Sequence, residues 1–188
     1  MSLPDYDLRI VELIQQSRIK SLDHFFMGFT DIAPFIAGAI AAFYLLYGFI
    51  KKTPYWKYRK WEITVAYLVN AIIITILKYS VDRVRPFVID SKIEKLTWGG
   101  SPSFPSGHTG DAMIIAFMVS MVFNKQKWWV MLVWIWAILV GYSRMVLGVH
   151  FFTDVMGSVL ISGIVAFIVH SFFKKIKVVE NTELVNRT

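Results

Sequence analysis

The sequence predicts an all-α integral membrane protein: a helical bundle of about five to six transmembrane helices, with an N-terminal amphipathic helix at the membrane interface. Of its 188 residues, 56% are hydrophobic and only 18% are charged, and the mean hydropathy is +0.54. Soluble domains have about a quarter charged residues. The apolar residues also fall in runs of about 20, the length that crosses a bilayer core. Since no repeat and no long linker divides the chain, residues 1–188 are predicted to form a single domain.

Apolar runs predict five spans, of which the third is short for a bilayer. Before the first run, Leu8, Val11, Ile14 and Arg18 fall at helical spacing with polar residues between them, which predicts the interfacial helix. A partly ordered tail is the alternative for this segment. The N-terminus does not show the basic start and apolar core of a cleavable signal peptide. The predicted spans are Phe25–Ile50, Ile63–Val81, Thr109–Phe123, Trp128–Leu147 and Thr153–Phe173.

The net charge of +7 would suggest a nucleic-acid partner in a soluble protein, but in a membrane protein such an excess marks cytoplasmic loops. No nucleic-acid partner is therefore expected. With five spans the basic residues divide between two sides, and we expect the denser set in the cytoplasm, with the N-terminus outside and the C-terminus inside. The denser set is Lys51, Lys52, Lys57, Arg59, Lys60, Lys125, Lys127, Lys174, Lys175 and Lys177, and the opposite set is Arg9, Arg18, Lys20, Lys92 and Lys95.

Three polar stretches fall at the outer ends of the predicted spans: KYSVDRVRP (78–86), PSGH (105–108) and SRMVLGVHFFTD (143–154). Charged groups near a bilayer core are unfavourable and are usually functional. The stretches bring the following residues to one membrane depth: Lys78, Arg83, Arg85, His108, Arg144, His150 and Asp154.

A surplus of cations at one depth favours an anionic ligand. Asp82 and Asp154 do not balance the basic residues, which would otherwise repel one another. Phosphate fits best, because arginine presents a planar fork to two phosphate oxygens and lysine adds a point charge. Taken singly, Lys78 could instead snorkel to the interface, Arg85 could anchor a helix end, and His108 could cap a helix.

The PSGH stretch is predicted to begin a helix, whose first N–H groups lack partners and can bind an anion. Gly107 would let the backbone approach the ligand, Ser106 would offer a hydroxyl and its N–H, and His108 could give a proton to a departing oxygen. His150 and Asp154 are four residues apart, which puts their side chains in contact on one helix face. Asp154 could accept the Nδ1 hydrogen of His150 and leave Nε2 free as a nucleophile.

Together the three stretches resemble the signature of the type 2 phosphatidic acid phosphatase family, the membrane relatives of bacterial acid phosphatases and vanadium haloperoxidases. That family carries K-x6-R-P, P-S-G-H and S-R-x5-H-x3-D, and about eleven fixed positions between Lys78 and Asp154 match in order and spacing. Members often have six spans, whereas five spans and an interfacial helix are predicted here.

The resemblance implies a catalytic role for each matching residue. His150 would attack phosphorus and form a phosphohistidine, Asp154 would orient it, and His108 would protonate the leaving group and then activate water. Arg83 is not a family position and is expected at the rim or in a structural role. No metal or other cofactor is expected, because the chain has no carboxylate cluster of the two-metal type. The implied phosphate-binding residues are Lys78, Arg85, Ser106, Gly107 and Arg144.

We therefore expect a metal-independent phosphatase of a bacterial inner or plasma membrane, with its site facing the periplasm or exterior. The candidate substrates are a polyprenyl pyrophosphate, phosphatidylglycerol phosphate, phosphatidic acid and a lipid A phosphate. The loop 87–104 does not choose among them, and its Trp98–Gly100 segment fits either a lid or an interfacial aromatic with a turn. The alternative is a non-enzymatic anion or lipid transporter, which should place its charges at mid-membrane. A vanadate-dependent peroxidase, which would use a similar pocket, is a further alternative function. The sequence predicts no oligomeric state.

Overall fold

A computed structural model describes residues 3–51, 53–123 and 128–185, and these ranges contain helices and loops but no strand. The all-α prediction is confirmed. A short 3-10 turn at Lys20–Leu22 joins the first two of eight helices in the described ranges. The helices are α1 (Leu3–Ser17), α2 (Asp23–Asp31), α3 (Ala33–Lys51), α4 (Pro54–Val81), α5 (Pro86–Ile89), α6 (Gly107–Val122), α7 (Trp128–Val146) and α8 (Phe152–Val185).

Four stretches of the described chain are long and apolar enough to cross a membrane, and α6 is a fifth, shorter apolar helix. The 16 residues of α6 span about 24 Å at 1.5 Å per residue, less than a hydrocarbon core of about 30 Å. A short helix is tolerated here because α6 is the centre of the bundle and packs against α3, α4, α7 and α8. The long stretches are Lys20–Lys51, Trp56–Ile89, Trp128–Val146 and Phe152–Lys177.

The first predicted span, Phe25–Ile50, consists of two helices rather than one. α2 ends at Asp31 and α3 begins at Ala33. Pro34 explains the break, because proline has no N–H and its ring clashes with the carbonyl four residues earlier, here that of Thr30. The break leaves Thr30 fully buried in the last turn of α2.

Two described members of the denser basic set lie at the end of the antiparallel helices α3 and α4 that is opposite Lys78. Lys51 ends α3 and Lys60 lies near the start of α4, whereas Lys78 lies in the last turn of α4. The starts of α6 and α8 lie at the Lys78 end, which we call the site end. Three members of the denser basic set, Lys52, Lys125 and Lys127, lie outside the described residues.

The helix predicted before the first span is present as α1, and its apolar face packs onto the site end of the bundle. Val11 is fully buried against Ile93 and Phe151, with Leu8 at the edge of this cluster. The Gln15 side-chain amide donates to the carbonyls of Glu94 and Val146, at 2.8 and 3.1 Å. Helix α1 is therefore bound to the loop after α5 and to the end of α7.

Candidate active site

The connection between α7 and α8 is a tight turn that places Arg144 and His150 side by side. Helix α7 ends in a Schellman motif, in which the Val149 N–H donates to the Arg144 carbonyl at 3.2 Å and the Gly148 N–H donates to the Met145 carbonyl at 3.0 Å. Gly148 has a φ of +72°, which glycine adopts without strain. The His150 N–H also donates to the Arg144 carbonyl, at 3.3 Å. The backbone thus holds the two predicted site residues together.

Asp154, in the first turn of α8, is the centre of a buried hydrogen-bond cluster. Its Oδ2 accepts from the Phe151 N–H at 2.9 Å and from the Ser103 hydroxyl. The same oxygen lies 3.4 Å from Nδ1 of His150, somewhat longer than a normal hydrogen bond. The structure therefore brings His150 and Asp154 together, but not on one helix face as predicted, because His150 lies in the loop before α8 begins at Phe152.

His150 is almost completely buried, in the loop just before α8. Burial lowers its pKa to about 3; the hydrogen bond with Asp154 opposes this shift, and the charge of Arg144 adds to it. The imidazole is therefore neutral near pH 7. With Nδ1 carrying the hydrogen toward Asp154, the lone pair of Nε2 is available to an electrophile.

The PSGH stretch begins a helix, as predicted, and its serine is the N-cap residue of α6. The Ser106 hydroxyl lies 2.8 Å from the Thr109 hydroxyl. The Ser106 N–H, predicted to face the ligand, instead donates to the Asp154 carbonyl at 3.3 Å. A methyl group added to Gly107 would meet no atom within 4 Å. Protein packing therefore does not require glycine there, whereas close approach of a ligand would.

His108 lies in the first turn of α6 and is half-buried. The N-terminal end of α6 thus brings a second imidazole to the site end of the bundle. His108 is close enough for electrostatic interaction with all of the following: Arg144, His150, Lys78 and Arg85. The structure therefore brings together the residues that the sequence selected from three separate stretches.

Backbone carbonyls hold Lys78 and Arg85 in place. The Lys78 ammonium donates to the carbonyls of Pro102 and Pro105 at 3.0 and 2.8 Å. The Arg85 guanidinium donates to the Ser101 carbonyl at 2.7 Å through Nε, and to the carbonyl of residue 149 at 2.8 Å through Nη1. Nη1 of Arg85 also lies 3.5 Å from Nε2 of His150. Because carbonyls carry no net charge, both cations remain able to bind an anion.

Arg144 is buried beside the break between α2 and α3. Its Nη1 donates to the Thr30 hydroxyl at 3.1 Å. Its Nε is buried and has no hydrogen-bond partner in the described part of the chain. A buried N–H without an acceptor is unfavourable, and an anionic ligand would satisfy it.

Three residues at the site received no catalytic role from the sequence: Asp7, Arg83 and Ser103. Arg83, expected at the rim or in a structural role, donates to Asp154 at 2.6 Å and to Asp7 at 2.7 Å. Ser103 donates to Asp154 from the loop before PSGH. Serine and arginine are so common near motifs that residue type alone cannot assign a role to Ser103 or Arg83. Asp7 is far from the motifs along the sequence.

The Trp98–Gly100 segment lies against the site through its backbone. A methyl group added to Gly99 would come within 3.3 Å of the Arg85 side chain, while the Trp98 side chain is 72% exposed. The segment therefore contacts a predicted phosphate-binding residue, and its role as a lid stays a prediction.

The match to a family model decides the classification of this chain. The model described as the PAP2 superfamily matches residues 59–177, which include every predicted site residue. The chain belongs to the PAP2 superfamily. As a PAP2 chain with several apolar helices of spanning length, it is an integral membrane protein.

Curated and solved PAP2 proteins are similar to this chain over most of its helices. Phosphatidylglycerophosphatase B of Bacillus subtilis is 36% identical over 132 residues, which cover 64% of this chain and 63% of that relative's length. The crystal structure of LpxE from Aquifex aeolicus superposes with a TM-score of 0.73 at 28% identity, covering 90% of this chain and 98% of LpxE. The transmembrane PAP2-type phosphatidylglycerolphosphate phosphatase of Bacillus subtilis gives a TM-score of 0.70 at 28% identity, covering 93% of this chain and 87% of that structure.

Proposed function

We propose that this chain is a membrane phosphatase that removes phosphate from a lipid phosphate or lipid pyrophosphate through a phosphohistidine on His150. The observation that carries the proposal is the pairing of a neutral, buried His150 with cations that the protein holds by uncharged oxygens. Nε2 of His150 lies 3.5 Å from the Arg85 guanidinium, and the buried Nε of Arg144 has no acceptor in the described ranges. A phosphate between these groups would bring phosphorus within reach of Nε2.

The chemistry follows from these positions. Nε2 of His150 attacks phosphorus, and the bond between phosphorus and the leaving oxygen breaks as the P–N bond forms. The phosphorylated ring is cationic while Nδ1 keeps its hydrogen, and the Asp154 carboxylate stabilises that charge. Lys78, Arg85 and Arg144 stabilise the charge on the non-bridging oxygens, which is the main requirement of phosphoryl transfer.

His108 supplies the acid and base steps. Its imidazolium gives a proton to the leaving oxygen, and the neutral ring then takes a proton from water. That water attacks phosphorus, the P–N bond breaks, and inorganic phosphate and free His150 are produced. No step requires a metal ion.

A lipid substrate follows from the position of the site at the end of apolar helices. Such a position suits a phosphate at the membrane–water boundary whose chains stay in the bilayer. The similarity to a phosphatidylglycerophosphatase makes phosphatidylglycerol phosphate the first substrate to test, beside phosphatidic acid, polyprenyl pyrophosphate and lipid A phosphate.

We further propose that the site faces the periplasm or exterior, because lysines that include Lys51 and Lys60 gather at the opposite end and basic residues favour the cytoplasmic side. The chain has no cysteine, so single cysteines at the exposed positions Lys51 and Lys92 give clean probes. An impermeant thiol reagent should label Lys92→Cys and spare Lys51→Cys in intact cells. The reverse labelling would contradict this orientation.

The deciding experiment separates the two histidines of the purified protein. His150→Ala should abolish release of phosphate from all four lipids and should give no acid-labile phosphoprotein. His108→Ala should slow phosphoenzyme formation about 10²–10⁴-fold on an alkyl phosphate, the usual contribution of general acid catalysis, and clearly less on nitrophenyl phosphate, whose leaving group needs no proton. A phosphoprotein that persists in His150→Ala but is lost in His108→Ala would reverse the assignment.

A further inference from the structure

Arg83 links the N-terminal helix to the carboxylate that contacts His150. One guanidinium nitrogen, Nη1, donates to Oδ1 of Asp154 and to the Thr153 hydroxyl, both at 2.6 Å. The other, Nη2, donates to Asp7 at 2.7 Å. Asp154 is fully buried, Asp7 is 2% exposed, and the Arg83 side chain is 26% exposed. One arginine thus joins two buried carboxylates from α1 and α8.

Asp7 also binds the start of α8 directly. The Thr153 N–H donates to Oδ1 of Asp7 at 3.1 Å, and the Thr153 hydroxyl donates to its other oxygen. A carboxylate that accepts from an N–H in the first turn of a helix stabilises that helix end. Asp7 therefore holds the first turn of α8, which contains Asp154, although Asp7 and Thr153 are 146 residues apart along the chain.

We propose that Arg83 and Asp7 are positioning residues that orient Asp154 and preserve its negative charge for His150. The inference rests on the proposed function. Arg83 alone would orient Asp154 but would also neutralise it and weaken its interaction with the cationic phosphohistidine. Asp7 supplies a second negative charge to Arg83, so that the three side chains together carry a net charge of about −1. The guanidinium then fixes the carboxylate without cancelling the charge.

This arrangement makes α1 a part of the catalytic machinery in addition to its packing role. A purely structural tether would also need Asp7 and Arg83, but its loss would disturb the whole site end, including the phosphate-binding residues. Positioning of Asp154 instead affects the formation of the phosphohistidine and leaves phosphate binding intact. Turnover and binding of inorganic phosphate can therefore separate the two roles.

The test compares Asp7→Asn, Arg83→Gln and the double variant as full-length proteins in detergent. Asn keeps the size of Asp7 and one acceptor oxygen for the Thr153 N–H, removes the charge, and replaces the oxygen that accepts from Arg83 by an NH2 donor. We expect kcat for phosphate release to fall about 10- to 100-fold in each single variant, by analogy with the loss seen when hydrogen-bond partners of metal ligands are removed. The inhibition constant of inorganic phosphate should stay within about three-fold of wild type. The effects of the two single substitutions should not add in the double variant, because both substitutions break the ion pair between Asp7 and Arg83.

Glu12→Gln is the matched control, because it removes one negative charge from the same helix, where Glu12 pairs with the exposed Arg9. It should leave kcat unchanged. If phosphate inhibition weakens in parallel with kcat, or if the two single substitutions act additively, the positioning role is wrong. Wild-type kcat in Asp7→Asn would also overturn it. If instead the wild-type protein releases no phosphate from any substrate, the proposed function itself has failed.

Discussion

Replacing Arg85 by lysine keeps the positive charge but removes the geometry that the structure assigns to this residue. Arginine has five N–H donors and lysine has three on one nitrogen. Two arginine donors bind the carbonyls of Ser101 and Val149, and a third lies 3.4 Å from the Ser101 hydroxyl. Two hydrogens remain, one each on Nη1 and Nη2, and Nη1 lies 3.5 Å from Nε2 of His150, so that they can bind a phosphate there. A single ammonium cannot reach both carbonyls and also present two donors to the ligand.

The loss of one contact between Arg85 and the phosphate can be expressed as a decrease in kcat/KM. A hydrogen bond to a charged group contributes about 1.5–3 kcal/mol. Removing one phosphate contact should therefore lower kcat/KM by about 10- to 150-fold, at 1.36 kcal/mol per factor of about ten. Hydrolysis of a soluble phosphate ester and inhibition by inorganic phosphate give the measurement, with the exposed Arg9→Lys as control. Activity of Arg85→Lys within about three-fold of wild type would refute the two-donor interpretation.

Three further predictions follow from the turn, the histidine and the proposed mechanism. Gly148→Ala should lower the thermal midpoint and kcat, because its φ is +72° and an added Cβ would lie 2.4 Å from the Glu94 carbonyl; Gly28→Ala, with no atom within 4 Å, should do neither. Burial lowers the pKa of His150 to about 3 in the folded protein. In the unfolded chain the same imidazole binds a proton below pH about 6.5, whereas in the folded chain it stays neutral. Stability should thus fall as pH decreases from about 6.5 toward 4, and less steeply in His150→Gln. Hydrolysis should persist in EDTA and stop with vanadate; loss in EDTA that a divalent ion restores would contradict the mechanism.

The sequence predicted those parts of the site that depend on local spacing. Arg144, His150 and Asp154 lie within one turn-containing segment, so a fixed separation along the chain gives a fixed geometry. The position of α6 was predictable for a similar reason, since a buried apolar run after Pro105-Ser106 has few alternatives. Each of these predictions rests on neighbours along a helix or a turn.

Contacts between distant segments could not be predicted in this way. Nothing near Thr30 indicates that it meets Arg144, which is 114 residues away. The break that buries Thr30 depends on Pro34, which lies inside a continuous apolar run and looks compatible with one long span. Asp7 lies in an amphipathic segment whose polar residues would all be expected to face water. Such contacts depend on how helices pack, which composition and periodicity do not specify.

The hydrogen-bond partners of the four clustered cations distinguish roles that their residue types do not. Lys78 and Arg85 are held by carbonyls, and Arg144 by a hydroxyl. Neutral oxygens orient a cation and leave its charge for an anionic ligand. Arg83 is held by two carboxylates, which use its charge within the protein. In the proposed function the first three cations bind phosphate and the fourth holds Asp154. Proximity to His150 alone would have assigned phosphate binding to all four cations.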